Sequence, residues 1–269
     1  MTARYATTFA GLKAAGHHAF IPFTLLGWPD AEQSFQIIKT LIDSGASALE
    51  LGFAFSDPVA DGPIIQAAAF ETIEANFGLD EAFALLTRVR EYNKDVPIGL
   101  LLYFNTVLSQ GVEKFFARAA QSGVDSILIA DLPAECADEI STAASQHEVA
   151  PVFIISPLTT KERLGAIAGV AAGYLYVVSR LGITGVHETV EADLTKLLTD
   201  ARQATDLPLC VGFGVSTPAQ ARRMIDQGAD GVITGSRIIQ LMRETGSLSH
   251  LSAYIKEMLS ATRSAVNHR

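Results

Sequence analysis

Short apolar runs alternate with amphipathic stretches along the chain. The runs are Ala19–Leu25, Ala48–Leu51, Pro97–Tyr103, Ser126–Ala130, Pro151–Ile155, Tyr174–Val178, Leu207–Val211 and Gly231–Ile233. None alternates cleanly between apolar and polar, which is the pattern of parallel strands buried on both faces. The stretches between them carry helical spacing. Ser34–Asp43 places Phe35, Ile37, Ile38, Leu41 and Ile42 on one side, and Glu113–Gln121 does the same with Phe115, Phe116, Ala119 and Ala120. A glycine often closes the helical stretch before the next strand, as Gly45, Gly123 and Gly228 do, and glycine suits the left-handed position just past a helix end.

Eight strand–helix units predict an α/β fold of the (β/α)8 TIM-barrel class, as a single domain over residues 1–269. The rival is a doubly wound open sheet. Its glycine-rich fingerprint is missing after the first strand, where the chain reads Leu25-Leu26-Gly27-Trp28-Pro29. Tyr5, Phe9 and Leu12 share one face of a predicted extra N-terminal helix, Arg4–Ala15, placed to cap the N-terminal end of the barrel. Two long loops, from Gly52 to Gln66 and from Ser179 to Val190, emerge at the C-terminal face, where barrels build their active sites.

Composition narrows the function classes. The chain has 269 residues, 49% of them apolar and 18% charged, which suits a folded domain with a sizeable core. A net charge of −9 without a Lys/Arg block argues against nucleic acid as a partner. No run of 18 apolar residues and no signal-like N-terminus is present, so neither a membrane span nor export is expected. Cys136 and Cys210 lack metal-like spacing and suit a reduced, cytoplasmic chain. His17 and His18 read as bland surface residues, and no metal site is expected.

Glu50 is a carboxylate at the end of an apolar strand. Burial there raises its pKa toward what a general acid needs, although a structural carboxylate tied to a backbone group or a cation is an equal reading. In the loop that follows, Asp57-Pro58 and Asp61-Gly62-Pro63 are ordinary turn chemistry, yet Asp61 shares the C-terminal face with Glu50. Three glycine elements, Thr184-Gly185, Gly212-Phe213-Gly214 and Gly235-Ser236, stand at the ends of successive late strands. They read either as plain turns or as a phosphate site, with Ser236 opening a helix whose first N–H groups favour anions. Tyr174 and Tyr176 alternate on strand six, as packing aromatics or with one nearer the mouth. Lys161 and Lys196 fall in helical or loop segments rather than at strand ends, which weakens a Schiff-base aldolase reading.

These pieces, in this order, resemble the tryptophan synthase α subunit over nearly the whole chain. The match is carried by Phe20-Ile21-Pro22-Phe23, Ala48-Leu49-Glu50-Leu51-Gly52, Phe55-Ser56-Asp57-Pro58 and Ala60-Asp61-Gly62-Pro63. It continues through Ile98-Gly99-Leu100-Leu101, Gly123-Val124-Asp125, Ala130-Asp131-Leu132-Pro133, Ser179-Arg180, Ile183-Thr184-Gly185, Gly212-Phe213-Gly214 and Gly235-Ser236. The resemblance implies retro-aldol cleavage of indole-3-glycerol phosphate to indole and glyceraldehyde 3-phosphate. It makes Glu50 the acid/base and Asp61 the partner of the indole N–H. Phe23, Leu101 and Tyr176 then surround the indole, and Gly185, Gly214, Gly235 and Ser236 cradle the phosphate. Thr184 becomes the loop-closure residue. The resemblance further implies an α2β2 complex whose β subunit holds pyridoxal phosphate, no cofactor in this chain, and Asp57, Pro58 and Pro133 at the partner surface. The alternatives are a non-catalytic subunit that activates a β-type partner, and another phosphate-binding barrel of indole or thiamine precursor metabolism. The chain departs from the family pattern at Trp28, Ala54 and Phe104, on loops expected near the partner. Trp28 is either an exposed hot spot for that partner or a residue packed locally beside Pro29.

Overall fold

Each of the eight apolar runs carries a strand in the computed structural model, which describes residues 2–179 and 187–263. In chain order the elements are α1 (Ala3–Ala14), β1 (Ala19–Leu25), α2 (Ala31–Asp43), β2 (Leu49–Gly52), α3 (Pro63–Glu74), α4 (Leu79–Tyr92), β3 (Ile98–Leu102), α5 (Phe104–Gln110), α6 (Val112–Gln121) and β4 (Ser126–Ile129). A short 3-10 turn (Ala134–Cys136) follows. Then come α7 (Asp138–Gln146), β5 (Ala150–Ile155), α8 (Lys161–Val170), β6 (Leu175–Val178), α9 (His187–Ala204), β7 (Leu209–Gly212), α10 (Pro218–Asp226), β8 (Gly231–Thr234), α11 (Ser236–Thr245) and α12 (Leu248–Thr262). Every strand pairs in parallel with its sequence neighbour, and β8 returns to β1 with Ala19 opposite Gly231, so the sheet closes. The doubly wound alternative is thereby excluded.

Alternate strand residues face opposite ways, and the two directions make two cores. Inward lie Ile21, Leu128, Val152, Tyr176, Cys210 and Ile233. Outward, Phe20, Leu49, Leu51, Ile98, Leu100 and Leu102 pack under the helices. The helices begin where local chemistry satisfies their free N–H groups. Asp30 accepts from Gln33 N at 2.8 Å to open α2, and Thr217 with Gln220 forms a capping box at α10. They end on glycines Gly45, Gly123 and Gly228, with φ of +100°, +80° and +107°.

Two loop boundaries differ from the sequence reading. The loop after β2 stops at Gly62, not Gln66, because Pro63 occupies the first helical position, where its missing N–H costs nothing. Likewise α9 begins at His187, inside the stretch read as loop.

The N-terminal end of the barrel is plugged as the spacing predicts. Tyr5 of α1 is fully buried, its hydroxyl 3.0 Å from Ser126 Oγ and its ring tilted against Tyr174 at 5.7 Å. Gly99 leaves room for it, since a Cβ there would come within 3.0 Å of the Tyr5 hydroxyl. Asp125, just before β4, anchors the plug. It takes Arg4 Nη1 and Arg90 Nη2, each at 3.0 Å, and the amide of Ile98 at 2.9 Å. His17 and His18 are half-buried beneath this end rather than free on the surface, and His18 Nδ1 sits 3.1 Å from the Ala229 carbonyl. Among the described residues no helix is long and apolar enough to cross a membrane.

Candidate active site

β2 carries Glu50 into the barrel, opposite Phe23 of β1 and Gly99 of β3. The side chain is 1% exposed. Its one hydrogen bond among the described residues comes from the Tyr174 hydroxyl, which donates to Oε1 at 3.0 Å. Among the described residues no cation or backbone donor bonds to it, which is the environment of an acid rather than of a paired structural carboxylate. Burial disfavours the charged form and pushes Glu50 up to about 8. Tyr174 opposes the shift, and the nearby charge of Asp61 adds to it.

Asp61 lies on the loop between β2 and α3, half-buried at the mouth. Tyr103, which directly follows β3, donates its hydroxyl to Asp61 Oδ2 at 2.9 Å and accepts from the Ala60 amide at 3.0 Å. Phe55 stacks on the Tyr103 ring at 4.9 Å and 19°. Desolvation raises the Asp61 pKa, and the Tyr103 bond pulls it down. Asp61 is therefore more than a turn former: a phenol and a stacked ring fix the direction of its carboxylate.

The three residues expected around the indole lie on strands β1, β3 and β6. Phe23 fits between two glycines; a Cβ on either Gly52 or Gly235 would come within 2.8 Å of its ring. Leu101, opposite Gly52, is partly buried and packs against both cores. Tyr176 lies between Ile154 and Cys210 in the ladder; burial raises its pKa, and the charges of Glu50 and Asp61 add to the shift. Its hydroxyl occupies the place a Cβ on Gly212 would need. Of the two tyrosines, Tyr174 touches the floor at Tyr5 and Tyr176 stands nearer the mouth, edge-on to Phe213 at 6.3 Å.

The late glycines gather on the same rim. Gly214 has φ +84° in the turn after β7, and Gly235 immediately precedes Ser236, the first residue of α11. Thr184 and Gly185 lie outside the described residues. Of the residues expected at the partner surface, Asp57 and Pro133 are exposed on the C-terminal loops, whereas Pro58 is buried within this chain. Trp28 is 3% exposed, which corrects the hot-spot reading. Its indole donates to Glu71 Oε2 at 2.7 Å, and Glu71 in turn receives both Arg243 nitrogens at 2.7 and 3.1 Å. Ala54 and Phe104 are partly buried against the outer core.

Cleft size does not locate this site. A cleft of about 1210 Å³ opens at the opposite end beside Arg4, Asp125 and His147, where Asp125 is paired with both Arg4 and Arg90. Lys161 and Lys196 are exposed on helices and both pair with Asp200, away from any strand end. Cys136 and Cys210 are free thiols. Among the described residues no three His, Cys, Asp or Glu side chains gather to hold a metal. Sequence reasoning missed Tyr103 and undervalued Tyr174. The sequence offered only a phenol at the edge of a strand in both cases; the acid each one meets lies 42 and 124 positions away.

Comparison with known proteins places the chain in a family. The profile of the tryptophan synthase alpha chain family matches residues 9–266. A tryptophan synthase alpha chain of Shewanella baltica is 42% identical over 266 residues, 97% of each chain. Among solved structures, tryptophan synthase subunit alpha of Legionella pneumophila superposes with a TM-score of 0.89 at 31% identity, covering 97% of this chain and 99% of that one. A tryptophan synthase structure from Mycobacterium tuberculosis gives a TM-score of 0.90 at 28% identity, covering 98% and 100%. Neither another phosphate-binding barrel nor a non-catalytic subunit is favoured by matches of this length. The chain belongs to the tryptophan synthase alpha chain family, the lyases that cleave indole-3-glycerol phosphate into indole and glyceraldehyde 3-phosphate in tryptophan biosynthesis.

Proposed function

We propose that Glu50 is the proton shuttle of this cleavage and Asp61 its electrostatic partner. The observation that carries the reading is a carboxyl on β2, 1% exposed, without a cation among the described residues, pushed up to about 8 by burial and by the charge of Asp61. At neutral pH Glu50 is then protonated. It gives its proton to indole C3, and positive charge spreads to the ring nitrogen, where Asp61 accepts the N–H. The Glu50 carboxylate next takes the proton of the glycerol hydroxyl beside the breaking carbon–carbon bond. That bond's electrons return to the ring, the aldehyde forms, and Glu50 ends as it began.

Phe23, Leu101 and Tyr176 hold the indole in this reading. Gly185, Gly214, Gly235 and Ser236 bind the phosphate, which explains how an acidic chain without a basic patch takes an anion. Thr184 orders the site when its loop closes. The chain works in the cytoplasm without a cofactor of its own. It assembles as α2β2 with a β subunit that carries pyridoxal phosphate, and docks it through the rim that includes the exposed Asp57 and Pro133; Pro58, buried within this chain, supports that loop from beneath.

The test follows indole release from indole-3-glycerol phosphate by the pure chain, alone and with a β subunit. E50Q is expected to lose about a thousandfold in both settings, and D61N about a hundredfold, with folding intact. Near-normal release from E50Q removes the shuttle. Persistent activity in D61N removes the N–H role.

A further inference from the structure

The turn after β7 contains a conformational oddity. Phe213 takes φ +63°, and Gly214 follows at +84°. Glycine adopts such angles freely, whereas a phenylalanine in the left-handed region crowds its Cβ against the backbone. Its ring does not hold the bend by burial, because Phe213 is 46% exposed and meets only the edge of Tyr176 among aromatic neighbours. The backbone needs another hold.

That hold is Ser179, just past β6. Its hydroxyl, on a residue 3% exposed, donates to the Phe213 carbonyl, and its amide donates to the Gly212 carbonyl at 3.3 Å. The amide bond merely continues the β6–β7 ladder. The hydroxyl bond does not belong to the ladder, and it fixes the peptide unit that follows Phe213, whose left-handed conformation its side chain disfavours.

We propose that Ser179 is a positioning residue: a strut that keeps Phe213 in its left-handed bend and thereby sets the Gly214 N–H toward the phosphate and the Phe213 ring over the mouth. This rests on the phosphate role of Gly214 given above. Ser179 touches no substrate in this account. It acts through the turn, so its loss shows in binding before it shows in chemistry.

A double-mutant cycle tests the strut, because F213G lets the turn adopt its angles without help. The probe is glycerol 3-phosphate by calorimetry, with steady-state kinetics on indole-3-glycerol phosphate alongside. S179A is expected to weaken glycerol 3-phosphate about tenfold and to raise KM by a similar factor, with kcat changed less than about threefold. In the F213G background the same substitution is expected to cost less than about twofold. No effect of S179A, or an equal loss in both backgrounds, overturns the proposal. If S179A folds only together with F213G, the strut is supported by stability instead; failure to fold in both backgrounds overturns it. S236D separates the two readings, since like charge at the α11 terminus is expected to abolish most phosphate binding. Unchanged binding in S236D removes the cradle and the strut with it. Weakened binding in S236D with none in S179A removes the strut alone.

Discussion

The two ends of the barrel treat buried carboxylates in opposite ways. At the N-terminal end Asp125 is 2% exposed and meets two guanidiniums and a backbone amide. Arg90 is equally provided for, donating also to the carbonyls of Gly123, Asn93 and Val96. At the C-terminal end Glu50 is 1% exposed and, among the described residues, meets one phenol, while the charge of Asp61 pushes its pKa further up. The first arrangement ties α1, α4 and β4 together. The second leaves an acid short of partners, which destabilises its charged form and keeps a transferable proton at neutral pH. Equal burial therefore means different things, and the partner set decides which.

The largest expected effect breaks the paired end. D125N leaves Arg4 and Arg90 without their counter-charge and is expected to cost roughly 3 kcal/mol in urea unfolding, discounted for the partial exposure of Arg4. Activity per folded molecule is expected to stay unchanged, since the substitution lies at the far end of the barrel. An equal cost to stability from E50Q at pH 7 would erase the contrast between the two ends.

E50Q is instead expected to stabilise the protein near neutrality. The Glu50 value rises from 4.5 unfolded to about 8 folded. Stability contributed by the neutral carboxyl is complete below 4.5 and is lost as pH climbs through about 8. The wild type should therefore lose roughly 3 kcal/mol relative to E50Q between pH 4.5 and 7, read from paired denaturation curves. A flat difference across that range means Glu50 is not held neutral by the fold.

The smallest effect sharpens the role of the single phenol. Tyr174 pulls the Glu50 value down, so Y174F is expected to move the alkaline limb of kcat/KM upward by about half to one pH unit. Movement in the other direction, or none, means that the Tyr174 bond does not tune the acid.

The barrel was legible because its signal is repeated. Eight apolar runs, each too short and too continuous for an amphipathic strand, allow little else, and Gly45, Gly123 and Gly228 mark the same joint three times. Glu50 stood out as an acid in an apolar strand, and Asp61 as a second acid on the loop that follows it. Tyr103 and Tyr174 were harder, because a tyrosine in a strand serves packing as well as hydrogen bonding, and only three-dimensional register shows which acid each one meets. Trp28 illustrates the same limit. Its loop position suggested exposure, yet Glu71 and Arg243, 43 and 215 positions away, enclose it. The hold of Ser179 on Phe213 was also invisible, since a positive φ on a phenylalanine leaves no mark in the sequence.

The most direct test of the central claim is the titration of Glu50 itself, followed by carbon-13 NMR of its carboxyl and assigned by the signal that disappears in E50Q. A midpoint near 8 is the expected result. A midpoint near the ordinary 4.5 would contradict the account, because Glu50 would then be charged at neutral pH and would have no proton to give.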